Sequence, residues 1–433
     1  EANVILASTR FRPTTTFLVA SEPPTGWTGD REDFVGRCRD LGSPVVVETG
    51  EPTNTGSPRG NSIGSLCHDL VLGQGEERGL VFVIGLTDHP AQIATVVDRY
   101  SRRAEVEAAF DELRADWNAY LGRFVVRTPD PETTEMLSVW NQVQCRTTLN
   151  WSRFVSGYET GLGRGMGTRD SAQDTLGTMH SLPAQARRTL TRTWALQFRD
   201  GHAWHQLFPL SGEGGAGLAA EFPDWPQWFS DDHLWLVLAT CAYLRETGDL
   251  AYLEERVPWA AGAVPGNLAD ADAGVDATVW GHMLRAIEFT HANRGPRGLP
   301  RLGFADWDDT LNADHGSGNA ESVWTAMQLC RTLLDLADLC RHTGRSAEAT
   351  RFRDLHTEMA ALVNVVAWDG AWYARAFDDD GLPIGVASEE RHRINLNPQT
   401  WSVIGEVAPR DRGEEALRSA EEFLGTPFGT ALL

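Results

Sequence analysis

The chain has 433 residues, and its 60 Asp and Glu outnumber 38 basic residues, leaving a formal charge of −22. All 38 basic residues are arginine, and lysine is absent. That absence excludes Schiff-base enzymes, P-loop NTPases and protein kinases, each of which needs one particular lysine amine. The acidic balance argues against nucleic acid and anionic membranes as partners, since both are polyanions.

The six cysteines, Cys38, Cys67, Cys145, Cys241, Cys330 and Cys340, are scattered, with no CxxC pair. Reduced thiols in a cytoplasmic protein are the expectation. No apolar run approaches the ~18–20 residues of a membrane span. The chain opens on Glu1 and shows no basic region followed by an apolar one, so no signal peptide is read there.

Up to about residue 100 the pattern is strand-like. Short apolar runs at Thr16–Val19, Pro44–Val47 and Leu80–Ile84 are separated by Gly, Pro, Asn and Ser clusters. A helix is predicted over Ala104–Leu121, with Val106, Phe110, Leu113, Trp117 and Leu121 on one face. Thr128-Pro-Asp-Pro-Glu-Thr then reads as a linker and helix start. Beyond it the chain becomes helical with long loops. Helices are predicted over Asp232–Glu246 and Glu321–Arg341, each with one apolar face and each stopped by a glycine, Gly248 and Gly344. Such helix pairs point to an array or toroid of α-hairpins, and the irregular spacing disfavours a regular solenoid.

Two segments are dense in chemistry. Gly161-Leu-Gly-Arg-Gly-Met-Gly-Thr-Arg-Asp-Ser-Ala-Gln-Asp174 lacks the GxGxxG arrangement of a dinucleotide site. It presents Arg164, Arg169 and Asp170, groups able to grip vicinal hydroxyls or an anion; a capped helix start with surface ion pairs is equally compatible. Gly303-Phe-Ala-Asp-Trp-Asp-Asp-Thr-Leu-Asn312 sets three carboxylates around Trp307. Mutual repulsion and partial burial should raise at least one pKa, which prepares a general acid. The alternatives are a calcium loop, whose EF-hand pattern is incomplete here, and a solvated acidic loop. Lesser signals are Asp200-Gly-His-Ala-Trp-His205-Gln, Ser230-Asp-Asp-His233 and Asn397-Pro-Gln-Thr-Trp401. His202 and His205 read as hydrogen-bonded loop histidines, so no metal site is assigned. Sixteen tryptophans, several beside carboxylates and amides, suit stacking on sugar rings.

Five segments in this order resemble the inverting disaccharide phosphorylases of glycoside hydrolase family 94. They are R…GxRDSxQD, Asp-Gly-x-Ala-x-His-Gln with S-D-D-x-L-W-L, G-x-A-D-W-x-D-T, the Trp368-Asp-Gly-Ala-Trp-Tyr-x-Arg-Ala-Phe run, and Asn397-Pro-Gln-Thr-Trp. The match is read from about residue 80 onward. The resemblance implies a mainly α fold with an N-terminal β part. Residues 1–101 would be the C-terminal portion of a β-sandwich, 102–128 a helical linker and 129–433 an incomplete (α/α)6 catalytic barrel.

It further implies that Asp309 is the general acid and that Trp307, Arg164, Arg169 and Asp170 bind the non-reducing sugar. Arg153 would bind phosphate. Inorganic phosphate is a co-substrate, and no cofactor is implied. The partners would be a β-linked gluco-disaccharide of cellobiose or chitobiose type, phosphate, and a second copy in a homodimer. The product would be an α-sugar 1-phosphate.

An inverting glycosidase on the same barrel and a non-catalytic sugar-binding protein are the competing readings. Phe304 and Thr310 lean toward the chitobiose type. Asp308 stands where the family has Asn, which should raise the pKa of Asp309 and repel phosphate. The family's phosphate-binding His and Thr would lie beyond residue 433. A truncated chain that is inactive or poorly folded by itself is therefore expected.

Overall fold

Phe17 and Val19 stand two apart on one strand and so face the same way; both are buried, while Thr16 on the other face is exposed. Their strand, β2 (Arg12–Ala20), lies between β1 (Val4–Thr9) and the later β5 (Phe82–Thr87), antiparallel to both. A separate antiparallel pair joins β3 (Gly26–Asp30) to β4 (Ser62–Cys67). The helix Ile93–Tyr100 supplies Ile93, Val96 and Val97 against Phe17, Val19 and Val83. Ile84 and Leu86, registered with Leu18 and Thr16 on the opposite face, are exposed.

The computed structural model describes residues 4–9, 12–58, 60–152, 165–209, 211–260, 276–311, 313–314 and 316–433. It divides into two units, Glu1–Gly122 and Arg123–Leu433.

Two expectations for the first unit change. Pro44–Val47 is not a strand: Val45–Thr49 is one helical turn that ends at the left-handed Gly50. The predicted helix is present as Arg103–Leu121, yet Phe110 and Leu113 on its apolar face are 61% and 51% exposed.

The second unit is built of helices that alternate between an inner and an outer position. Thr168–Leu176, Asp232–Thr247, Val323–His342 and Leu396–Ile404 pack on one another in succession. Pro183–Trp194, Val279–Ala292, Ser346–Val366 and Arg410–Leu424 pack outside them. This inner–outer alternation is that of an (α/α)6 barrel.

The two inner helices predicted from sequence are not amphipathic in place. The first is buried from Asp232 through Cys241, and the second is buried along most of its length. A helix surrounded by neighbours has no solvent face to keep polar. Their core includes Trp194, Leu234, Leu236, Trp324 and Tyr373. Gly248 takes the left-handed conformation that ends the first of them, at φ 70°.

Short sheets tie the loops at one end of this unit. In one, β6 (Met166–Gly167), β7 (Gln206–Phe208) and β8 (Glu213–Gly215) pair in that order. In another, β10 (Ala376–Phe377) lies between β9 (Glu321–Ser322) and β11 (Pro383–Ile384). Among the described residues no helix is long and apolar enough to cross a membrane.

Candidate active site

The two short sheets place the polar residues. Pairing of β6 with β7 brings the start of the Thr168 helix beside His205, whose carbonyl accepts from the Thr168 N–H at 2.7 Å. Pairing of β9 with β10 sets Ser322 against Ala376, and so brings Arg375 toward the acidic loop. That loop is also bridged to the segment before the Asp232 helix. Phe229 pairs with Gly303, and Ser230 N–H donates to the Ala305 carbonyl at 3.0 Å.

Asp306 occupies the floor of the loop and is fully buried. Arg375 grips it with both terminal nitrogens, at 2.6 and 2.5 Å. Ser322 Oγ adds a hydrogen bond to Asp306 Oδ2 at 2.7 Å while capping the Val323 helix through the Thr325 N–H. Burial opposes ionisation, but Arg375, Ser322 and the Asp308 N–H outweigh it and hold this carboxyl below its ordinary range. Asp306 is therefore not a carboxylate of the loop with a raised pKa. The reading of a solvated acidic loop fails there too.

Arg169 is the second hub. Its Nε and Nη2 donate to the two oxygens of Asp231, at 2.7 and 3.0 Å. Nη2 also reaches the Asp306 carbonyl at 2.6 Å, and Nη1 donates to Asp309 Oδ1 at 2.9 Å. Each guanidinium nitrogen therefore meets a protein acceptor. Arg169, expected to bind substrate, braces two acidic segments. Asp231 also accepts from Trp235 Nε1. Burial, against the pull of Arg169, pushes the Asp231 carboxyl up to about 6.

Asp232 accepts from the Arg169 backbone N–H at 3.2 Å and from His205 Nδ1 at 3.0 Å. His205 Nε2 lies 3.8 Å from Asp309 Oδ2. Asp309 thus sits between Arg169 and His205, with its side chain 44% exposed, whereas Asp231 and Asp232 are fully buried. Beside it Trp307 is half-buried, with the Arg375 guanidinium 5.7 Å from its ring centre. Asp170 lies one residue from Arg169 on the same helix and is also half-buried.

Arg153 and Arg164 lie outside the described residues. Phe304 is fully buried among Phe222, Trp225 and Phe229, so it does not line an open subsite. Asp308 accepts from the N–H and hydroxyl of Thr310. His202 bonds Asp200 and stacks on Phe198, apart from the hydrogen bonds of His205. Among the described residues no group of three or more His, Cys, Asp and Glu is arranged to hold a metal.

The comparisons agree with this layout. The sequence pattern of the glycosyl hydrolase 94 superfamily catalytic domain matches residues 116–433, and that of the glycosyl hydrolase 94 supersandwich domain matches residues 1–103. The chain belongs to glycosyl hydrolase family 94. The family 94 likeness therefore extends upstream of residue 80, through the whole β part.

Among family relatives, N,N′-diacetylchitobiose phosphorylase of Vibrio proteolyticus is 28% identical, with 96% of this chain and 52% of the relative covered. Solabiose phosphorylase of Paenibacillus borealis is 29% identical, with 96% and 50% covered. Cellobionic acid phosphorylase of Neurospora crassa is 27% identical, with 96% and 49% covered. The chain spans about half the length of the curated relatives it matches. A bacterial glucoamylase solved with acarbose shares the fold, at TM-score 0.60 and 11% identity, covering 99% of this chain and 59% of that one.

Sequence reasoning missed Asp231, Asp232, Ser322 and Arg375 as builders of the site. Three of them stood in motifs already noticed, S-D-D-x-L-W-L and W-Y-x-Arg-Ala-Phe, where nothing local shows which loop each side chain meets.

Proposed function

We propose that the protein carries out inverting phosphorolysis of a β-linked gluco-disaccharide, of cellobiose or chitobiose type, giving an α-sugar 1-phosphate and a free sugar. The observation that carries this reading is the setting of Asp309: an open carboxyl at the end of a buried polar network. A general acid needs that combination of fixed direction and access to the glycosidic oxygen. Asp231, Asp232 and Asp306 are occupied by Arg169, His205 and Arg375. They are poorly placed to activate water, as an inverting hydrolase requires. Phosphate is already an anionic nucleophile and needs only aiming.

In this mechanism phosphate attacks the anomeric carbon from the face opposite the leaving sugar. Asp309 gives its proton to the departing oxygen. Trp307 offers a ring face and a buried Nε1–H that has no hydrogen-bond partner among the described residues, which suits a sugar hydroxyl. Asp170 and Arg164 join it around the non-reducing sugar, and Arg153 helps to hold phosphate. The relatives named as phosphorylases support the reaction class. The six unbridged thiols fit a reducing, cytoplasmic setting.

The test is release of sugar from cellobiose and N,N′-diacetylchitobiose with and without inorganic phosphate. Turnover should need phosphate, and Asp309→Asn should lower kcat by roughly 10²–10⁴-fold while sugar binding persists. Sugar release that ignores phosphate would favour a hydrolase.

A further inference from the structure

An acid that gives up its proton at each turnover has to regain it, and the phosphorylase reading leaves that step without a residue. His205 stands where such a residue is needed. Its ring stacks on Phe229, with centroids 3.8 Å apart and planes 21° apart. Gly217 lies so close to the ring edge that a Cβ there would come within 2.4 Å of Cδ2. Asp232 takes Nδ1 at 3.0 Å and is itself fixed by the Arg169 N–H. A carboxylate at Nδ1 makes that nitrogen the donor, so the second nitrogen alternates between holding and lacking a proton. This second nitrogen, Nε2, is the one 3.8 Å from Asp309 Oδ2.

We propose that His205, clamped by Asp232, is the proton-holding partner of Asp309. After Asp309 protonates the leaving sugar, its Oδ2–H bond is re-formed as the Nε2–H bond of the imidazolium breaks. A turn of the half-exposed Asp309 carboxyl closes the remaining gap. The imidazole regains its proton from the sugar phosphate as that product passes from monoanion to dianion, so the proton that entered on phosphate leaves on the free sugar. His205 acts through Asp309 and is therefore a positioning residue.

Among the described residues, the charged groups that act on His205 are Asp232, Arg169 and Asp309. The uncharged Phe229 and Gly217 also pack against its ring. Burial and Arg169 disfavour the imidazolium, but Asp232 and Asp309 outweigh them and lift its pKa above the usual imidazole value. Activity supported by this proton should accordingly be kept toward neutral pH and lost as pH rises through that raised value.

The experiment uses the whole protein with cellobiose or N,N′-diacetylchitobiose and inorganic phosphate, comparing wild type with His205→Gln and the isosteric Asp232→Asn. His205→Gln should lower kcat roughly 10–100-fold with little change in KM and move the alkaline limb of kcat down by about one pH unit or more. Asp232→Asn should move the limb the same way by less. With a dinitrophenyl β-glycoside, whose leaving group needs no proton, the His205→Gln loss should shrink to about threefold or less. An unmoved alkaline limb in both variants, or an equal loss on both kinds of substrate, overturns the proposal. Wild type without phosphate-dependent turnover overturns the phosphorylase reading on which it rests.

Discussion

Asp306 and Asp309 are three residues apart in one acidic loop, yet one is fully buried and the other 44% exposed on its side chain. The difference comes from Arg375, 69 residues downstream, and Ser322, 16 residues downstream. Neither is visible from the loop's own composition, which is why composition could mark the loop but not rank its carboxylates. Replacing Arg375 with Met should leave a buried, unpaired carboxylate and cost about 3–5 kcal/mol, with partial recovery in the Asp306→Asn, Arg375→Met double variant. Denaturant titration of the single and double variants checks this. The Asp306 pKa is lowered from 3.8, so its contribution to stability is present above that value and is lost as pH falls through the lower folded-state value. The stability gap between wild type and Asp306→Asn should therefore narrow below about pH 3.8. Unfolding curves at pH 7 and near pH 3 decide it.

Helices that end on glycine were legible because the signal is local: a periodic apolar run followed by Gly248 or Gly344. The short helix at Val45–Thr49 was not, since three successive valines favour a strand by local preference, while Pro44 before it and the left-handed Gly50 after it make a single turn. The apolar faces of the inner helices were misjudged because the extent of burial depends on neighbours brought in by tertiary packing. Two glycines show how element ends differ in consequence. Gly248 has a positive φ but open space where a Cβ would stand, with no atom within 4 Å, so Gly248→Ala should cost only about 1 kcal/mol and leave turnover intact. Gly303 also has a positive φ, 67°, and a Cβ there would lie 2.4 Å from the Trp228 carbonyl oxygen. Gly303→Ala should break the bridge to Phe229, shift the acidic loop and lower kcat at least about tenfold, since small displacements of a catalytic group are costly. Thermal melts and, under the proposed function, phosphorolysis rates on both variants check the contrast.

On the scale of the whole molecule, the charge of −22 is carried with arginine as the only permanently cationic side chain. Many of these arginines form exposed pairs one helical turn from a carboxylate, such as Arg103 with Glu107 and Arg410 with Glu414. Pairs of this kind contribute little each, whereas the net repulsion is long-ranged and screened by salt. Raising sodium chloride from about 0.02 to 0.5 M should raise Tm, by about 2–4 °C for each 1 kcal/mol of relieved repulsion. A falling Tm would show that the surface pairs dominate. The acid-rich surface has its counterweight inside, where Arg169 and Arg375 sit among buried carboxylates.

Arg169 joins Asp231, 62 residues away, to Asp309, 140 residues away. A contact that spans such separations forms only after the intervening helices have found their places. Without that packing the acidic loop would lack the Arg169 hydrogen bond that holds Asp309. Under the proposed function, turnover would then report on whether the helices carrying these residues have packed.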